Sequence, residues 1–140
     1  MKKIIQFFRM AASLPTITTR RSKTKYRELL VAMKTVESGG EAFPTYAVGD
    51  EGRSIGPYQI SYGYWLDATR QTFELKQGTW AMCVFDEYAE KVILAYWLKY
   101  APPSASWEQL ARMHNGGPKG HGRPETAKYW REVSKHLFKR

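Results

Sequence analysis

The chain has 140 residues, one cysteine and a formal net charge of +9. That length makes one domain, able to bury about two-thirds of its unfolded surface in a single core. A lone cysteine, Cys83, excludes an intrachain disulfide, and no stretch is long and apolar enough to span a membrane.

The charge is uneven. Residues 1–36 hold nine Lys and Arg against one acid, Glu28, a net of +8 (9 − 1). The rest holds 13 basic and 12 acidic residues (22 − 9 and 13 − 1), a net of +1. Residues 1–22 are therefore expected to be a flexible basic arm, with Pro15 breaking any helix, and residues 23–140 the compact domain. Such an arm suits an anionic wall, a lipid surface or a virion component, or serves solubility alone. The cluster Arg20, Arg21, Lys23, Lys25 and Arg27 forms no recognisable nucleic-acid module. Gln6 and Arg9 interrupt the apolar part of Met1–Leu14, which favours an amphipathic arm over a cleaved signal peptide.

Ser22 or Thr24 can cap a first helix whose apolar face is Tyr26, Leu29, Leu30, Met33 and Val36. Gly39-Gly40 ends it. A turn-rich quartet, Gly49-Asp50-Glu51-Gly52, sits between Tyr46-Ala47-Val48 and Arg53-Ser54-Ile55, predicting a small hairpin. A short helix follows within Ile60–Thr72, then a connector over 73–79. The pattern from Trp80 to Tyr100 predicts one long helix, apolar nearly all round from Val92 to Leu98 and so central. Ser106-Trp107-Glu108-Gln109 is a capping box opening the next helix, which Asn115-Gly116-Gly117-Pro118 stops. Pro124 starts the last helix, to about Phe138. The expected fold class is α+β and mostly helical, with about five helices and a small β-hairpin.

Two carboxylates stand out. Glu37 falls in the last turn of the first helix. There the helix dipole and burial both push a carboxyl pKa upward, as a general acid needs. Asp50 follows thirteen positions later (50 − 37), across a Gly- and Pro-rich loop. Two acids from different backbone elements are what a glycosidase requires: one protonates the leaving oxygen, the other supports or captures the oxocarbenium-like centre. Bland readings stand beside these. A helix-end Glu is usually solvated, and a turn Asp commonly bonds its own backbone. Tyr58 and Gln59 suit either a sugar cleft or turn support. Ser54 can orient Asp50. His114 suits a substrate contact or a structural role, and Asn115 and Gly116 either present groups to a glycan or only stop a helix. Tyr64, Trp65, Trp80, Tyr96, Trp97 and Trp107 default to core. His114, His121, His136 and Cys83 show no metal-ligand spacing, so neither a metal nor another cofactor is expected.

Glu37-Ser38-Gly39, Asp50-Glu51-Gly52, Gly56-Pro57-Tyr58-Gln59-Ile60, Tyr64-Trp65-Leu66-Asp67, and Ala111 to Pro118 with its His114-Asn115-Gly116-Gly117 core occur in that order, followed by Tyr129-Trp130. Over roughly residues 30–134 this set resembles the destabilase family, the invertebrate-type lysozymes and their bacterial and phage relatives. The resemblance implies a lysozyme-like fold that cleaves the β-1,4 bond between N-acetylmuramic acid and N-acetylglucosamine. It implies Glu37 as proton donor and Asp50 as second carboxylate, with peptidoglycan glycan strands as partner; a monomer is expected.

The chain departs from the family in its cysteines. Gly40, Ile55 and His121 stand where the family pattern has Cys, and Cys83 matches a family Cys without its partner. That suits a protein built inside a cell, such as a phage lysin released from the host cytoplasm or a virion-carried enzyme, better than a secreted animal enzyme. The spacing from Asp50 to Gly56 is one residue shorter than in the animal enzymes, which leaves Glu51 as the alternative to Asp50. Three alternatives stay open: a lytic transglycosylase relying on Glu37, isopeptide cleavage by Ser54 and His114, and a non-catalytic wall-binding or virion protein that kept the fold.

Overall fold

A computed structural model describes residues 25–39, 48–49 and 52–137. The expected arm, Asp50 and Glu51, and the proposed caps Ser22 and Thr24 lie outside these residues.

Helix α1 spans Arg27–Ser38 and buries Leu29, Leu30, Ala32 and Met33 on one face. Leu29, Leu30 and Met33 are wholly buried, each contributing about 1.5–3 kcal/mol relative to exposure. Gly39 ends the helix in the left-handed conformation, φ 69°, open to glycine at no steric cost.

The hairpin forms where the turn residues predict it. Strand β1, Val48–Gly49, pairs antiparallel with β2, Ser54–Ile55. A third short strand, β3, Ile60–Ser61, extends it in register Ile55↔Ile60. The β2–β3 turn, residues 56–59, closes on a Gln59 N–H to Gly56 O bond of 3.1 Å.

Ser61 then caps helix α2, Tyr62–Thr69, by accepting from the Tyr64 N–H. The connector holds a four-residue helix, α3, Phe73–Lys76, which raises the described α-helices to six. The stretch expected as one helix from Trp80 to Tyr100 is divided. Trp80–Val84 is a 3₁₀ turn, Phe85 is extended at φ −96° and ψ 128°, and helix α4 runs Asp86–Tyr100. Tertiary contacts divide it. The Trp80 indole donates to the Ile60 carbonyl at 2.9 Å, and the Cys83 carbonyl sits against Gly56. Asp86 and Glu87 then fall in the first turn of α4, where the helix dipole favours them.

Helix α5, Trp107–Gly116, opens with the expected capping box, Ser106 and Gln109 each bonding the other's backbone N–H. A 3₁₀ turn, Gly120–Gly122, leads to helix α6, Pro124–Leu137. Helix α6 packs on both α1 and α5, while α2 packs on α4. In α4, Val92 through Trp97 are buried and Leu98 is exposed. Among the described residues no helix is long and apolar enough to cross a membrane.

Candidate active site

A cleft of about 620 Å³ opens between the end of α1, the small sheet, the start of α2 and the end of α5. Its walls hold Glu37 from α1, Ser54 from β2, Gln59 from the β2–β3 turn, Tyr64 and Asp67 from α2, and Asn115 and Gly117 from α5 and its end, beside His114 and Tyr96. The fold puts each one there for a local reason. Gly39 stops α1 one residue after Ser38, so Glu37 stays in the last turn, its side chain 17% exposed. Gln59 adopts φ 50°, unusual for a residue with a side chain. Its amide nitrogen donates to the Gly56 carbonyl at 2.8 Å, which holds that conformation.

His114 is the hub. Its Nε2 lies 3.1 Å from the Tyr58 carbonyl oxygen and its Nδ1 lies 3.1 Å from the Tyr64 hydroxyl. A carbonyl only accepts, so Nε2 carries the proton, Nδ1 is the acceptor and the Tyr64 hydroxyl donates. Burial is the first cause lowering the His114 pKa, to about 4, against a small opposing effect from the Tyr58 carbonyl. The ring is therefore neutral at pH 7. Glu37 Oε1 lies 3.6 Å from Nε2, beyond a hydrogen bond, and this is no ion pair. Tyr64 is fixed in turn by stacking on Tyr96, 4.0 Å between centroids and 14° between planes. Burial, then the Tyr96 ring, raises the Tyr64 pKa, so its hydroxyl stays a donor.

The expected site residues divide. Glu37, Ser54, Gln59, His114 and Asn115 share the cleft. Tyr58 does not: it is wholly buried and its hydroxyl donates to Glu90 Oε1 at 2.9 Å. Of the two readings of its side chain, the sugar-cleft one is corrected to turn support, because a ring with no exposed face has none to offer. It serves the cleft through its backbone carbonyl alone. Gly116 faces the other way, where a Cβ would meet Thr126 Cγ2 at 2.4 Å, and Gly117 takes its place on the wall. His114 reaches the wall with both ring nitrogens engaged by protein.

Three residues treated as core, or quoted only within a motif, belong here. Tyr64 and Asp67 stand three apart on one face of α2, a spacing visible in the sequence. Asp67 accepts from Lys99 Nζ at 2.5 Å and from the Tyr100 hydroxyl. Burial would raise its pKa, but those two donors and the Lys99 charge outweigh it and lower it. Tyr129, on α6, faces Glu37 from behind. Its hydroxyl is buried and lacks a partner at full hydrogen-bond geometry, yet Glu37 acts on it more than any other ionisable group.

A carboxyl at the end of a buried helix, facing a polar cleft across a short antiparallel sheet, defines a lysozyme-like α+β domain. The crystal structure of Tapes japonica lysozyme superposes with a TM-score of 0.65 at 32% identity, over 78% of this chain and 88% of that one. Meretrix lusoria lysozyme, crystallised with the inhibitor PliI of Aeromonas hydrophila, gives 0.64 at 29%, with the same coverage. Lysozyme of Ostrea edulis is 39% identical over 90 residues, 59% of this chain and 61% of its own length. The destabilase family model matches residues 28–136, and the chain belongs to that family.

Proposed function

We propose that this domain is a peptidoglycan hydrolase, a muramidase cleaving the β-1,4 bond between N-acetylmuramic acid and N-acetylglucosamine. Glu37 is the general acid. It gives its proton to the glycosidic oxygen as the C1–O bond breaks, and the departing sugar leaves as an alcohol. Asp50 supports or captures the resulting positive C1. Water then attacks C1 and returns a proton to Glu37, now the base.

The observation that carries this reading is the setting of Glu37. It is a mostly buried carboxyl opening on a polar cleft large enough for sugar rings, beside an imidazole held neutral. A cation there would hold Glu37 ionised and disarm it as an acid. Ser54, Gln59, Asn115 and Asp67 offer hydroxyl, amide and carboxylate groups to the polar rim of a glycan. Family membership supports the same substrate class.

Purified peptidoglycan is digested with wild type, Glu37→Gln and Asp50→Asn, and the fragments are read by mass. Reducing-end muropeptides are expected from wild type. Glu37→Gln should lose at least about 10²-fold in rate with its circular dichroism unchanged. Anhydro-sugar ends with Asp50→Asn still active would instead indicate a transglycosylase. No fragments from several wall types would indicate a binding protein on a lysozyme fold.

A further inference from the structure

We propose that Tyr129 is a positioning residue for Glu37: its phenol bonds the carboxylate that forms each time Glu37 gives up its proton. This rests on the function proposed above.

Among the described residues, the Tyr129 hydroxyl is the one buried side-chain oxygen or nitrogen without a hydrogen-bond partner. The residue is 8% exposed, so no bulk water serves it. Buried polar groups are nearly always satisfied, and an exception calls for a physical reason. The reason here is placement. Helix α6 packs against α1, which carries Glu37, and against α5, which carries His114. Burial, then the charge of Glu37 and the nearness of its carboxyl to the phenol, raise the Tyr129 pKa well above the ordinary value. Tyr129 therefore stays a neutral donor throughout the working pH range.

A donor of this kind has little to offer a protonated Glu37 and much to offer an ionised one. The charged state is the one that must be held while water attacks C1. Among the described residues, the ionisable groups near Glu37 and Tyr129 include His114 from α5, Tyr64 from α2 and Tyr58 from the β2–β3 turn. His114 is neutral, and both of its nitrogens are occupied. The Tyr64 hydroxyl donates its hydrogen bond to His114, and the Tyr58 hydroxyl donates its own to Glu90. Of these side chains, Tyr129 keeps an uncommitted proton.

The test is Tyr129→Phe, which removes the hydroxyl and keeps the ring. The alkaline limb of kcat/KM should move up by about one pH unit, because ionised Glu37 loses a charge-assisted donor. At the optimum kcat should fall several-fold with KM little changed, and the melting temperature should hold or rise. Val133→Ala on the same helix serves as the packing control, lowering the melting temperature and leaving the limb in place. Titration of the Glu37 carboxyl by carbon-13 NMR gives a readout that needs no turnover. An upward shift of that titration in Tyr129→Phe supports the contact even if the wall is not cleaved, in which case only the functional reading fails. An unmoved titration and limb in an active, folded Tyr129→Phe overturns the proposal and leaves the hydrolase reading standing.

Discussion

His114 shows how one buried side chain links the cleft to pH. Its pKa is about 4 in the folded chain, against the ordinary 6.5. A depressed folded pKa means the unfolded chain binds the extra proton first as pH falls. The stability is thus fully present above about pH 6.5 and is lost on going down through pH 4. The gap of about 2.5 units corresponds to roughly 3 kcal/mol. Wild type should therefore melt at a markedly lower temperature at pH 4.5 than at pH 7. In His114→Gln that slope should flatten, although the variant starts from a lower stability at pH 7. Thermal scans across pH 4–7 check this, and parallel slopes would remove His114 from the account. The same neutrality means that His114 places no positive charge beside Glu37, so stability and chemistry share one cause: burial of the ring.

At the scale of elements, the β2–β3 turn positions the cleft against the rest of the fold. Gly56 sits there at φ +78°, and a Cβ on it would lie 2.1 Å from the Cys83 carbonyl oxygen. Both the conformation and the close approach demand glycine. Gly56→Ala should cost about 2–4 kcal/mol, from left-handed strain plus forced separation of the turn from the 3₁₀ segment. A urea melt measures it. Activity should fall further than stability alone explains, since Ser54 and Gln59 lie on either side of that glycine. The opposite wall is tied differently. Asp67 on α2 is clamped by Lys99 and Tyr100 on α4, so the helix bearing Tyr64 is held to the central helix beside the cleft.

Across the whole molecule, the stabilising forces are packing and buried hydrogen bonds rather than covalent ties. Cys83 is wholly buried, a free thiol, and burial pushes its pKa up to about 12. The resemblance sets Ile55 and His121 at positions where cysteine is expected. Ile55 is half-buried against the core, and His121 is exposed. In place of cross-links the chain uses ties such as Trp97 to the Leu110 carbonyl at 2.9 Å. Another is the buried Glu90, which takes Arg27 at 2.8 Å and Tyr58 at 2.9 Å. Excess reductant should leave the melting temperature within about 1 °C, where loss of a native disulfide would cost a small domain about 2–5 kcal/mol. A drop on reduction would mean that Cys83 pairs outside this chain.

The sequence alone carried the stop of α1 at Gly39, the start of α5 at Ser106, the hairpin turn and the order of motifs, because caps, glycines and apolar periodicity are local effects. It placed Glu37 in the last turn of its helix and the capping box at Ser106, and it foresaw α4 as the buried centre. It did not carry the break at Phe85. Trp80 and Cys83 are held there by Ile60 and Gly56, which lie 20 and 27 residues back along the chain (80 − 60 and 83 − 56). Nor did it carry the fate of Tyr58. A tyrosine in a Gly-Pro turn reads equally as cleft wall or core until the Glu90 carboxylate claims its hydroxyl. Tyr64 and Asp67 join the cleft, and Tyr129 comes near Glu37, for the same reason. Each lies on a helix whose periodicity shows which residues share a face. Only the packing of α2, α4, α5 and α6 around the end of α1 decides which of those faces meets Glu37.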